Sequence, residues 1–186
     1  MNAELQGYGD QLLSVRQDAT GLMSGLSEAQ FNWQPAPGRW SMGGCVEHLN
    51  KSASQLFIPL IDKAIAAGRA RNLRSDGPFA YSAFERWMIR TNDAPAKRRF
   101  KAPKNVQPSP HLSLDQVRDE FVRWQDELGK RLRESDGLDL RRAKHSWPVW
   151  LPLKWSLGAF IQMMLAHERR HVYQAREVRQ HPSFPA

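Results

Sequence analysis

An internal disulfide is excluded at once, because Cys45 is the only cysteine in 186 residues. A lone thiol of this kind suits a reducing compartment. No apolar run approaches the ~18 residues of a membrane-spanning helix, so no membrane partner is expected. Met1 to Gln6 carry neither the basic nor the apolar region of a signal peptide, and the cytoplasm is the expected location. Helix-turn-helix, paired Cys/His finger and aromatic RNP-like patterns are also missing. That matters because Lys+Arg 27 against Asp+Glu 19 gives a net charge of +8. The densest basic cluster, Lys97, Arg98, Arg99, Lys101 and Lys104, lies among Pro95, Pro103, Pro108 and Pro110. Prolines at that density make an extended connection over 92–111 rather than a recognition helix. A solvated basic surface with no specific nucleic-acid partner is the expectation.

What is present is ordinary for a folded globular chain: hydrophobic residues are 41% and charged residues 25%, and the length corresponds to one domain over 1–186. Four helical stripes stand out, with no convincing strand and no internal repeat. Leu5, Tyr8, Leu12, Val15, Ala19, Leu22 and Leu26 recur at steps of three and four, which places them on one helix face. Ser27-Glu28-Ala29-Gln30 has capping-box form. Ser41 is placed to cap a second helix, whose stripe is Cys45, His48/Leu49, Ser52/Ala53, Leu56 and Leu60, with a kink expected at Pro59. Phe84, Trp87, Met88 and Thr91 mark a short amphipathic helix inside the crossover. Ser113-Leu114-Asp115-Gln116 reads as another capping box, opening a helix with Val117, Phe121, Trp124, Leu128 and Leu132 inward. An aromatic, proline-rich linker from His145 to Pro152 precedes a last helix beginning near Ser156, with Phe160, Met164, His167, His171, Ala175 and Val178 on one stripe. Two helices, a long crossover and two more helices predict an all-α four-helix bundle, the crossover lying between helices 2 and 3.

The chemistry concentrates in His167-Glu168-Arg169-Arg170-His171. Histidines four apart lie one turn apart on a helix, so both imidazoles can reach one metal ion. Their stripe is otherwise apolar, which turns them toward the interior. The pentad also spells the H-E-x-x-H of zinc peptidases, with Glu168 as general base. Against that reading, Arg169 and Arg170 fill positions normally uncharged there, and Gln174 and Glu177 stand where a metzincin needs glycine and a third histidine. A well-formed site needs a third protein ligand. His48, beside the apolar positions Cys45 and Leu49, is the best placed; His111, His145 and Cys45 remain alternatives, and His181 sits near the chain end. Glu47 and Glu168 each neighbour a histidine and point about 100° away from it around the helix.

Trp40-Ser41-Met42-Gly43-Gly44-Cys45-Val46-Glu47-His48-Leu49 resembles the second-helix opening of the DinB-like superfamily. His167-Glu168-Arg169-Arg170-His171-Val172-Tyr173-Gln174 resembles its final-helix H-x-x-x-H motif, and Trp33, Pro35, Pro37 and Gly38 match the run-in to the first. The resemblance implies a divalent ion on His48, His167 and His171, zinc or nickel ahead of iron or copper. It also implies a small-molecule substrate, a low-molecular-weight thiol as co-substrate in S-transferase members, and a homodimer. A three-histidine site leaves the ion its full charge and so activates either water or a thiol. Hydrolase, thiol transferase and a non-catalytic binding protein therefore all stay open.

Overall fold

The structure, a computed structural model, describes residues 1–95, 101–146 and 154–186. The basic trio Lys97, Arg98 and Arg99 and the linker aromatics Trp147 and Trp150 lie outside the described residues. The fold is all-α with one small two-stranded sheet. Asn2 caps α1 (Ala3–Met23) by accepting from the Leu5 amide at 2.9 Å. The stripe from Leu5 to Ala19 is buried as expected, with Met23 closing it. Ser27 and Gln30 form the expected capping box of α2 (Glu28–Asn32), and Ser41 caps α3 (Met42–Ser52) through the Gly44 amide. After α4 (Ile58–Ala70) and α5 (Ala83–Asn92) come α6 (Leu114–Glu134) and α7 (Leu157–Arg179). Both α6 and α7 pack against α1 and α3, and α5 lies along α7.

Four expectations need correction. The helix does not simply kink at Pro59: Ala53–Phe57 forms a π-helical segment in which the Ile58 amide donates to the Ala53 carbonyl. The wider turn absorbs one extra residue and rotates everything after it. Phe57 and Ile58 consequently turn inward, whereas Leu56, placed inward by a 3.6-residue period, is only partly buried. Ser113 occupies the cap position of α6 but makes no side-chain bond to the helix. Two strands exist, β1 (Lys144–Ser146) and β2 (Lys154–Ser156), paired antiparallel with His145 opposite Trp155. On α5, Phe84 and Trp87 are exposed, while Met88 and Ile89 pack against the core.

The interior divides into two apolar halves. One contains Leu12, Phe57, Leu128, Phe160 and Leu165; the other contains Val15, Leu49, Phe121 and Val172. Buried polar residues also lie on α3, α6 and α7: His48, Asn50, Gln125, Glu168 and His171. Buried polar groups need partners, so the bonds of Asn50 to the Val117 carbonyl and of Gln125 to Glu168 restrict how the helices can slide past one another.

One contact in the first half anchors α7. Tyr8 and Tyr81 both donate to the Glu4 carboxylate, Tyr81 at 2.5 Å, and Gln162 donates to the Tyr8 hydroxyl at 2.5 Å. Tyr81 reaches Glu4 only because Gly158 has no side chain: a Cβ there would overlap the Tyr81 hydroxyl and ring. Gly158→Ala is expected to lower stability by about 2 kcal/mol, a typical overpacking cost, despite alanine's better helix propensity. A urea midpoint at or above wild type would contradict this.

Candidate metal centre

A glycine lets α3 sit where it does, and its neighbour Gly44 packs at ordinary van der Waals distance. A Cβ on Gly43 would lie 2.6 Å from the Phe31 ring, and one on Gly44 would lie 3.4 Å from Pro108. Helix α2 and the crossover thus both pack on the first turn of α3, about 100° apart around it. The crossover forms a 3₁₀ turn at Lys104–Val106, and the Val106 carbonyl accepts from His48 Nδ1 at 2.7 Å. A carbonyl only accepts, so Nδ1 carries the proton and Nε2 of His48 presents a lone pair. Glu47 and Lys51 hold this crossover. The Glu47 carboxylate accepts from the Ser109 amide at 2.6 Å and hydroxyl at 2.9 Å, and Lys51 donates to the Gln107 carbonyl at 2.9 Å.

His48 Nε2 faces His167 Nε2 at 3.1 Å. The His171 ring centroid lies 4.5 Å from each of the other two. One ligand atom from each histidine falls within 4.8 Å of the others, and the described residues add no carboxylate or thiol to the group. A tetrahedral ion with Zn–N bonds of about 2.0–2.1 Å separates its ligand nitrogens by roughly 3.4 Å, so the spacing suits such an ion. The His171 ring is buried, with the Gln174 side chain beside it as a hydrogen-bond partner. Burial pushes all three imidazoles below their ordinary value, His167 to about 3. They are therefore neutral at pH 7, the form that ligates metals. Phe57 packs edge-on against His167 at 5.4 Å, and Trp40 stacks over His171 at 5.6 Å and tilts against His48 at 4.8 Å. The π segment thus supplies one wall of the site.

The other residues singled out above lie elsewhere. Cys45 is fully buried in the second apolar half, where burial pushes its thiol up. His111 is exposed, His145 packs on Phe160 at 4.4 Å, and His181 lies beside Trp33. Glu168 is 1% exposed and turns toward α6, its Oε1 accepting from Gln125 Nε2 at 3.0 Å. Burial raises its carboxyl to about 7. Glu168 Oε2 and Gln125 Oε1 are both buried without hydrogen-bond partners, and a neutral carboxyl avoids burying a charge there. Glu168 is thus outside the histidine group, unlike the base of an H-E-x-x-H peptidase. The two arginines also have structural work: Arg169 pairs with Asp93 at 2.7 Å, and Arg170 donates to the Thr91 carbonyl at 3.3 Å, joining α7 to the end of α5.

The Val106 carbonyl and the Glu47–Ser109 tie were not apparent from sequence, since a backbone acceptor leaves no residue-type signal. A cavity of about 560 Å³ opens beside the site, with Trp40, Arg39, Lys101, Arg170, His171 and Tyr173 among its walls. Helices converging three neutral imidazoles beside an open cavity define an all-α protein with a candidate transition-metal centre. The superfamily model described as DinB superfamily matches residues 11–175, and the chain belongs to that superfamily. Neither the curated proteins nor the solved structures contain a match.

Proposed function

We propose that residues 1–186 form one four-helix-bundle domain in which His48, His167 and His171 hold a divalent ion, zinc or nickel ahead of iron or copper. The proposed activity is transfer of a low-molecular-weight thiol to an electrophilic small molecule, in a cytoplasmic homodimer. The observation that carries the metal reading is the grouping of three neutral imidazoles within 4.8 Å; thiol use follows from the superfamily resemblance. A divalent ion at such a site supplies positive charge that lowers the pKa of a thiol or water. The chain's own contribution is positioning: Val106 fixes the His48 tautomer, and Trp40 and Phe57 hold the imidazole planes.

The test uses metal-loaded protein with a panel of electrophiles and bacillithiol, mycothiol, glutathione or water as sole nucleophile. Conjugation that needs both metal and thiol supports the transferase. Cleavage by water alone would make the protein a hydrolase, and no turnover with bound metal would leave a binding protein. A narrower expectation concerns Glu47. Because it acts on His48 only through the Ser109 and Val106 segment, Glu47→Ala should weaken metal binding about tenfold, at the low end for ligand-supporting groups. Competition with a chelator measures it, and an unchanged affinity would show that the crossover holds His48 without Glu47.

A further inference from the structure

The cavity beside His171 has a marked charge bias. Among the described residues, three cations, Arg39, Lys101 and Arg170, line it, against a single acid, Glu177. Their surroundings sharpen that bias. Arg170 is only 9% exposed, so its field is weakly screened, whereas Glu177 is exposed and faces water. Glu177 also lies six residues beyond His171, about 9 Å along the helix at 1.5 Å per residue. The histidine group adds no compensating negative charge, because it contains no carboxylate. Trp40 and Tyr173 give the same space flat aromatic walls, and its volume of about 560 Å³ lies within the usual range for small-molecule sites.

We propose that this cavity binds a small organic carboxylate, with Arg39, Lys101 and Arg170 around the carboxylate and Trp40 and Tyr173 along its planar body. Guanidinium groups match a carboxylate through paired N–H donors. Trp40 touches both His48 and His171, so a ligand seated on it lies next to the imidazole group. The inference rests on the metal-centre reading for its catalytic meaning, since it names the charge class of that site's substrate. The cationic walls themselves belong to the chain and do not depend on the ion.

Calorimetric titration of metal-free and zinc-loaded protein with benzoate and with benzamide separates the two readings. Benzoate and benzamide share a shape and differ in charge. Benzoate should bind at least about tenfold more tightly than benzamide in both forms, and the Arg39→Gln/Lys101→Gln double variant should lose about tenfold of that affinity with zinc content unchanged. A preference for benzoate in protein that takes up no zinc would overturn the metal reading and still support the carboxylate site. Equal binding of the two probes to metal-free protein, or undiminished benzoate binding by the double variant, overturns the proposal.

Discussion

A His171→Ala protein purified without an affinity tag is expected to retain under about a tenth of an equivalent of metal after reconstitution, against about one equivalent for wild type. His171 is the member whose ring lies 4.5 Å from both others, which are 5.1 Å apart from each other. Its removal leaves two nitrogens, and two imidazoles do not make a well-formed protein site. Loss of a partner that merely supports a ligand costs about 10–100-fold in affinity, so loss of a ligand should exceed a hundredfold. Stability should report the same event. An ion at a thousand times its Kd stabilises the fold by about 4 kcal/mol through mass action, and chelator should remove that increment from wild type but not from His171→Ala. Cys45→Ala and His111→Ala serve as controls, because neither side chain belongs to the histidine group. Both should keep full metal content. A full equivalent in His171→Ala, by elemental analysis, would exclude the proposed ligand set.

The histidine group was legible because it follows from periodicity. His167 and His171 are one turn apart on a stripe with Phe160 and Val178, and His48 lies on the stripe of Cys45 and Leu49. Such reasoning holds while the helix repeat stays near 3.6 residues. It fails at Ala53–Phe57, where the π turn changes the repeat and brings Phe57, not Leu56, to the interior. Nor does periodicity say whether a neighbouring helix covers an adjacent position. Glu168 points well away from the histidines, as its place in the helix requires, but α6 packs over that side and Gln125 meets it there. A polar residue beside a motif looks solvated in sequence; here it is buried and bonded to a neighbouring helix. The strands escaped notice for another reason. Three residues each are too few to show alternation, and their pairing depends on His145 and Trp155 meeting across a long connection.

Metal-free protein should be least stable at the acid end, and Glu168→Gln should improve its stability only toward the alkaline end. The histidines set the first limb. Their folded pKa values lie below the unfolded value of about 6.5, so below that pH the unfolded chain binds protons that the fold refuses. Stability they allow above pH 6.5 is lost as pH falls toward the folded values, at up to about 1.4 kcal/mol per pH unit for each imidazole. All three act in the same direction, so the loss steepens as pH falls below about 6.5. Glu168 has the opposite sign. Burial raises it from 4.5 to about 7, so its favourable protonated state is fully present below pH 4.5 and stability is lost as pH rises through about 7. A shift of that size corresponds to about 3 kcal/mol above pH 7. Glutamine is neutral at every pH and keeps an acceptor for Gln125 Nε2, so Glu168→Gln should match wild type near pH 4.5 and exceed it by about 3 kcal/mol at pH 8. Metal content should not change, because Glu168 lies outside the histidine group. Urea midpoints in chelator across this pH range give both limbs. A difference between the two proteins that does not vary with pH would mean that the Glu168 carboxyl keeps its ordinary pKa in the fold.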